Sequence, residues 1–325
     1  PAPGIDQGAQ LWRELPSLPS PEADNTATYV GLGGRPYIYI SGGNRSQNTI
    51  PDYDRALYRY DILATQWEIV TPPHFPALVN NSAVADHQGH IFFTSGYAID
   101  LHTTSSILYE YQPGNGILRR INPPASVAIG FGDSMLIDNQ DHLYITQGFM
   151  KAGNPETRAG TGWYRYDIDT GSWHKLAPFP IGLGYTLLTT DSNDSIFVFG
   201  GAIDAGQQRP TNYVYRYDIA SNSWQHLPMS LPRALSGASG CIIRPGKFFV
   251  VGGYNTIQPN SQTGAWQVDL ATLNWQPMPN PSFNSAEFGS AACDGNGHAY
   301  IERGGDNTRR PTSDFWEFLD TTPLQ

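Results

Sequence analysis

Short apolar runs that end in small residues recur six times along the chain. They are Tyr37-Ile38-Tyr39-Ile40-Ser41-Gly42-Gly43, Ile91-Phe92-Phe93-Thr94-Ser95-Gly96, Leu143-Tyr144-Ile145-Thr146-Gln147-Gly148, Ile196-Phe197-Val198-Phe199-Gly200-Gly201, Phe248-Phe249-Val250-Val251-Gly252-Gly253 and Tyr300-Ile301-Glu302-Arg303-Gly304-Gly305. The last glycines stand at 43, 96, 148, 201, 253 and 305, a period of 52 or 53 residues. A second run follows each glycine and alternates apolar with polar, as a strand packed on one face must. It reads Tyr58-Arg59-Tyr60-Asp61, Tyr109-Glu110-Tyr111-Gln112, Tyr164-Arg165-Tyr166-Asp167, Tyr215-Arg216-Tyr217-Asp218, Trp266-Gln267-Val268-Asp269 and Trp316-Glu317-Phe318-Leu319. Trp67, Trp173, Trp224 and Trp275 each lie six residues beyond the Asp, and Leu118 takes that place in the second repeat.

Each repeat therefore predicts four strands. Strand a is small and apolar, as in Ser82-Ala83-Val84-Ala85; strand b ends at the glycines; strand c carries the Tyr-x-Tyr; strand d carries the Trp. A glycine after strand b lets the chain turn and pass its neighbour without a Cβ.

The glycine pair, the Tyr-x-Tyr-Asp and the spaced Trp together resemble the kelch repeat, whose period is about 50 residues. The resemblance covers nearly the whole chain and implies one all-β domain, residues 1–325: a six-bladed β-propeller of four-stranded antiparallel blades. The blades are expected near 27–76, 80–124, 130–180, 183–232, 235–283 and 286–320. The sixth repeat lacks a strand d, and Leu11-Trp12-Arg13-Glu14-Leu15-Pro16 looks like Trp224-Gln225-His226-Leu227-Pro228. Residues 8–18 are therefore expected to complete the last blade and close the ring, which removes an exposed sheet edge.

Composition narrows the function. The net charge is −10, with three Lys, and such a surface repels phosphate backbones, which argues against a nucleic-acid partner. No apolar run approaches the roughly 20 residues that span a bilayer. The sequence opens Pro1-Ala2-Pro3-Gly4, and Asn44, Asn80 and Asn193 head glycosylation triplets; both lean towards a secreted, extracytoplasmic setting. A monomer is expected. Cys241 and Cys293 occupy equivalent places on strand a of adjacent blades. Inner strands are expected to stand too far apart for a disulfide, leaving two small buried thiols.

Propellers bind where loops converge at one mouth of the channel. The b–c loops there hold Arg45, Asp54, Arg55, Tyr97, His102, Phe149, Arg158, Arg209, Tyr254 and Arg309, and the d–a loops add Tyr185, Arg233 and Glu287. Mixed arginine, acid and aromatic groups suit a polar ligand such as a sugar or an acidic peptide. Aligned on the last glycine, Glu302 falls where other repeats have Ile40, Phe93, Ile145, Val198 and Val250, and Arg303 where they have Ser41, Thr94, Thr146, Phe199 and Val251. A carboxylate in an apolar slot is costly unless paired. Arg55, Arg309, Arg310 or a ligand could partner Glu302, and a buried structural ion pair in the closing blade explains it equally well.

The kelch family includes enzymes. The seven-bladed galactose oxidases carry a copper site of Tyr and His, and the nitrile-specifier proteins an iron motif of Glu, Asp and His; neither constellation is present, and no metal or cofactor is expected. The Gly pairs end strands and do not open helices, so no phosphate loop forms, and no Gly-x-Ser-x-Gly elbow occurs. Sialic acid mutarotases are six-bladed kelch proteins of similar size. The leading expectation is a binding module for a protein or glycan partner. The other is a carbohydrate enzyme of the mutarotase, isomerase or oxidase kind, with Glu302 or Glu287 as acid/base and Arg303 or Arg233 orienting the substrate.

Overall fold

A computed structural model describes residues 11–46, 52–98, 103–104, 106–151, 153–191, 194–254, 264–281, 283, 288–306, 308 and 310–321. They form a six-bladed β-propeller of four-stranded antiparallel sheets. Blade one runs Thr26–Leu32, Arg35–Ser41, Leu57–Asp61 and Gln66–Ile69; blade two runs Ala83–Ala85, Ile91–Thr94, Leu108–Gln112 and Ile117–Ile121. Blade three runs Met135–Ile137, His142–Thr146, Trp163–Asp167 and Ser172–Lys175; blade four runs Leu187–Thr190, Ser195–Phe199, Val214–Asp218 and Ser223–His226. Blade five runs Ser239–Arg244, Lys247–Val251, Ala265–Asp269 and Asn274–Met278. Blade six has Ser290–Cys293, His298–Glu302 and Phe315–Leu319, and its outer strand is Trp12–Leu15 from the start of the chain. Tyr97–Ala98 pairs with Thr103–Thr104 in a small extra hairpin. No helix among the described residues is long and apolar enough to cross a membrane.

The repeat signature becomes packing between blades. The strand-d Trp faces the second aromatic or apolar residue of strand c: Tyr60 opposite Trp67, Tyr166 opposite Trp173, Tyr217 opposite Trp224, Val268 opposite Trp275. Trp12 opposes Phe318 in that same place. Indole N–H groups then stitch three blades to the chain of the one before: Trp12 to the Pro279 carbonyl at 2.8 Å, Trp67 to Pro16 at 2.8 Å and Trp224 to Ala177 at 3.0 Å. The second blade keeps four strands with Leu118 opposite Tyr111.

The glycine pair admits the neighbouring blade. A Cβ on Gly42, which holds φ +72, would come within 2.4 Å of the Leu78 carbonyl. Beside it, the Gly43 N–H donates to that same carbonyl at 2.8 Å.

Two expectations are corrected. Cys241 and Cys293 form a disulfide across blades five and six, with Cα atoms 5.5 Å apart. The a strands converge on the axis, so equivalent positions there lie much closer than the bulk of two packed sheets. The last-glycine alignment is also off by one in blade six. Ser290 pairs with Glu302 as Thr26 pairs with Ser41, Leu187 with Phe199 and Ser239 with Val251. The N–H of Thr312 donates to Gly304 as that of Thr211 donates to Gly201 and that of Asp54 to Gly43. Glu302 thus occupies the slot of Ser41, Thr94, Thr146, Phe199 and Val251, which is polar in three other blades. Arg303 replaces the first glycine of the pair.

Candidate site at the channel mouth

Six equivalent residues ring one end of the channel: Asp24, Asn80, Gly132, Tyr185, Gly237 and Phe288. All hold left-handed backbone, with φ of 62°, 51°, 62°, 55°, 59° and 55°. Such angles are uncommon for Asp and Asn and costly for Tyr and Phe. Backbone hydrogen bonds at five of the six junctions fix them. The N–H of Asn80 donates to Asp24 (3.0 Å), Gly132 to Asn80 (2.8 Å), Tyr185 to Gly132 (2.8 Å), Gly237 to Tyr185 (3.1 Å) and Asp24 to Phe288 (2.7 Å). Within this ring lies a cavity of about 200 Å³, lined by four consecutive residues of each blade beginning with these six. A second, of about 300 Å³, continues the channel towards the other face. The two share Ala27, Ala83, Met135, Leu188, Gly240 and Ala291, and the second reaches the disulfide.

Asp24 is the acid of the ring. It is half-buried, and burial alone pushes its pKa up to about 7. Tyr185 belongs to the fourth blade, opposite Asp24 of the first. Burial first, and then the Asp24 charge, push its phenol far above the usual range. It stays neutral, a hydrogen-bond donor and not a base. Tyr53 also feels Asp24, after burial and Tyr97. A chain of aromatic rings packs behind Tyr185: Tyr97 against Phe131 at 6.5 Å, Phe131 against Phe149 at 5.4 Å, Phe149 against Tyr185 at 5.4 Å.

A second acidic group sits at the seam between blades six and one. Glu22 is fully buried beside Asp54, and its backbone N–H bonds Thr312 of blade six at 2.8 Å. Burial and then the Asp54 carboxyl push the Glu22 pKa up to about 10. Burial opposes ionisation of Asp54 too, but bonds from Glu22, the Tyr58 hydroxyl and the Ala56 N–H outweigh it and hold Asp54 below its ordinary value. Glu22 is therefore protonated at neutral pH in the native state and ionised when unfolded. Its stabilisation is full below pH 4.5 and is lost as pH rises towards 10. Glu22→Gln should flatten the fall of unfolding free energy between pH 6 and 8 by up to about 1.4 kcal/mol per pH unit. Urea unfolding at the two pH values checks this; parallel slopes for variant and wild type would refute the raised Glu22 pKa.

Glu302 is also fully buried. It accepts from the Asn25 side chain at 2.8 Å and the Gly304 N–H at 2.8 Å; burial pushes its pKa up to about 8, against those two bonds. Its partners are neutral amides, unlike the arginines considered for it. Arg303 pairs with Asp314 at 2.6 Å, Arg209 with Asp204 at 2.9 Å and Arg45 with Asp52 at 2.8 Å, with Asp54 a further 3.6 Å contact of Arg45. Arg55 and Arg158 are exposed, and the backbone of Arg158 bridges to Asp204. Phe149 and Tyr254 are buried, Tyr254 packing on Phe288 at 5.7 Å. Arg233 stacks on Trp266 at 4.7 Å. His102, Glu287 and Arg309 lie outside the described residues. Of the expected residues, Tyr185 is in the ring itself, with Phe149 and Tyr97 behind it. Asp24, Asn80 and Glu22 were not anticipated. Among the described residues no group of three or more His, Cys, Asp or Glu is arranged to hold a metal ion.

Comparison with known proteins gives four similarities of note. A family model described as the KLHDC2/KLHL20/DRC7 Kelch-repeats domain matches residues 164–322. An N-acetylneuraminate epimerase of Yersinia enterocolitica is 32% identical over 178 residues, 53% of this chain and 42% of that protein. Kelch domain-containing protein 10 of Xenopus tropicalis is 25% identical over 304 residues, 87% of this chain and 69% of that protein. A Salmonella typhimurium N-acetylneuraminate epimerase is 28% identical over 124 residues, 37% of this chain and 30% of that protein. The aligned parts thus span less than half the length of both epimerases.

Proposed function

The chain belongs to the kelch-repeat β-propellers, and from that premise we propose that it binds a carbohydrate at the channel mouth and moves a proton on it, as a sugar epimerase or mutarotase does. One observation carries this reading: a carboxyl in the cavity wall that titrates near neutral pH, Asp24, with neutral Tyr185 on the opposite blade. A group poised at the working pH can take a proton and return it in one turnover. Asp24 would accept the proton of a sugar hydroxyl, and Tyr185 would donate a hydrogen bond to a second oxygen. The polar cavity suits hydroxyls, and the rings of Tyr185 and Phe288 in its lining suit a sugar ring face. The similarity to the two epimerases supports the same class.

Protein recognition by the rim is the second reading, favoured by the long match to Kelch domain-containing protein 10. Against it, the large exposed apolar side chains among the described residues are Leu63, Ile69, Ile117, Leu319 and Met150, and four of these five sit on c and d strands or the turn between them. Met150 is the one of the five in a b–c loop.

The test is anomer interconversion of N-acetylneuraminate, galacturonate and galactose, followed by NMR across pH 5 to 9. Wild type should speed at least one sugar, with an inflection near pH 7, and Asp24→Asn should lose roughly 10²–10⁴-fold. A rate equal to buffer for every sugar, or an Asp24→Asn variant as fast as wild type, would overturn the assignment.

A further inference from the structure

We propose that the wall of the mouth cavity carries a hydroxyl-binding arc on blades one, two and three, built from Asn25, Asn81 and Asp133, so that a polyhydroxylated ligand lies against these blades and off the channel axis. The proposal rests on the carbohydrate reading above and names the groups that hold the sugar. Each of the three follows a residue of the ring: Asn25 follows Asp24, Asn81 follows Asn80 and Asp133 follows Gly132. All three line the cavity, and they are 7%, 7% and 5% exposed. Each carries buried polar atoms with no hydrogen-bond partner among the described residues: Oδ1 of Asn25, both Oδ1 and Nδ2 of Asn81, and Oδ2 of Asp133. Buried polar atoms are almost always bonded, and leaving one unbonded is costly. Four such atoms on one stretch of wall mark bonding capacity kept for a ligand.

The rest of the wall supplies the contrast. At the same tier, blades four, five and six carry Thr186, Ala238 and Gly289. The Thr186 hydroxyl is already bonded to Ser134 Oγ at 2.9 Å, and the other two have no polar side-chain atom. Among the described residues, the other unbonded buried polar atom of the lining is Ser290 Oγ, one residue deeper in blade six, which adjoins blade one. The unused donors and acceptors therefore run along one side of the channel. Their existing bonds decide what each offers. Asn25 gives Nδ2–H to Glu302 at 2.8 Å, which leaves Oδ1 as an acceptor. Asn81 offers a donor and an acceptor from one amide. Asp133 accepts from Thr94 Oγ1 at 3.0 Å through Oδ1, and burial pushes its pKa up to about 8 against the bonds from Thr94 and Ser82. Its carboxyl therefore keeps a proton at neutral pH, and Oδ2 is a donor. Asp24 and Tyr185 are the other titratable side chains of the lining. A row of acceptors and donors matches neighbouring sugar hydroxyls, each of which gives one bond and takes another.

Structural and binding roles part at Asn81, whose amide has no bond among the described residues to lose. At least one of Asn81→Ala and Asn81→Leu should melt at the wild-type temperature or above it. Calorimetric titration with N-acetylneuraminate, galacturonate and galactose should find at least one sugar that binds wild type, and both variants should bind it about ten-fold more weakly, the loss of one or two hydrogen bonds. Asp133→Asn keeps a donor in the same place and should stay within about three-fold of wild type, less than one bond, as should Thr186→Val on the far side. Both Asn81 variants melting several degrees lower, or binding the sugar as wild type does, overturns the arc and leaves the reading of the mouth in place. A Thr186→Val loss as large as that at Asn81 overturns its one-sidedness, and a ten-fold loss in Asp133→Asn overturns the donor role of Asp133. A wild type that binds none of the three sugars overturns both the arc and the carbohydrate reading.

Discussion

Trp12→Ala should destabilise the protein by about 3–5 kcal/mol, the loss expected when a buried Trp is truncated. Trp12 is 7% exposed and touches three rings, Phe249 at 6.2 Å, Phe283 at 5.6 Å and Phe318 at 4.9 Å. It also spends its indole N–H on Pro279 of the preceding blade. The same truncation at Trp67 or Trp224, which are only half-buried, should cost less. Trp12 belongs to the strand that closes blade six, so its loss frees the clasp as well as opening a void. Trp12→Phe should recover most of the packing and leave only the hydrogen-bond deficit, about 1 kcal/mol. Urea midpoints of the three variants decide it. A Trp12→Ala loss below about 1 kcal/mol would mean that the strand rides on the ring without closing it.

Replacing both Cys241 and Cys293 by Ala should cost about 4 kcal/mol on the loop-closure model, given their sequence separation of 52. The link ties neighbouring inner strands, where the ring has its smallest circumference. Reduction of the wild type should lower its unfolding free energy by a similar amount, and reductant should leave the double variant unchanged. A double variant as stable as the oxidised wild type would show that the strands hold their spacing without the bond.

The blades were legible because their side chains repeat. Tyr60, Tyr166 and Tyr217 each face a Trp, and the spacing of the two is a property of sequence. The closing role of Trp12 was legible for the same reason. The register of blade six was not. Gly304-Gly305 mimics the pair that elsewhere ends strand b, but Arg303 fills the first place and Gly305 lies one beyond, bridged to Pro311. The ladder partner of Ser290 and the Thr312 bond to Gly304 fix that shift. The disulfide was lost to a distance that no spacing reports, the convergence of a strands at the axis. The ring of the mouth was invisible because Asp24, Asn80, Gly132, Tyr185, Gly237 and Phe288 share no side-chain chemistry. What they share is a backbone angle.

That angle separates two jobs that are usually fused. The hydrogen bonds that shape the mouth run through main chain, so the backbone frame holds while the displayed side chains differ from blade to blade. Tyr and Phe already occupy a conformation that favours glycine, which means the surrounding bonds tolerate bulky substituents there. A Cβ on Gly132 would meet the Tyr185 ring at 2.9 Å, but Asp24, Asn80, Tyr185 and Phe288 already display side chains on that frame, so a new specificity could be written into those four by substitution, one blade at a time, without redesigning a single sheet.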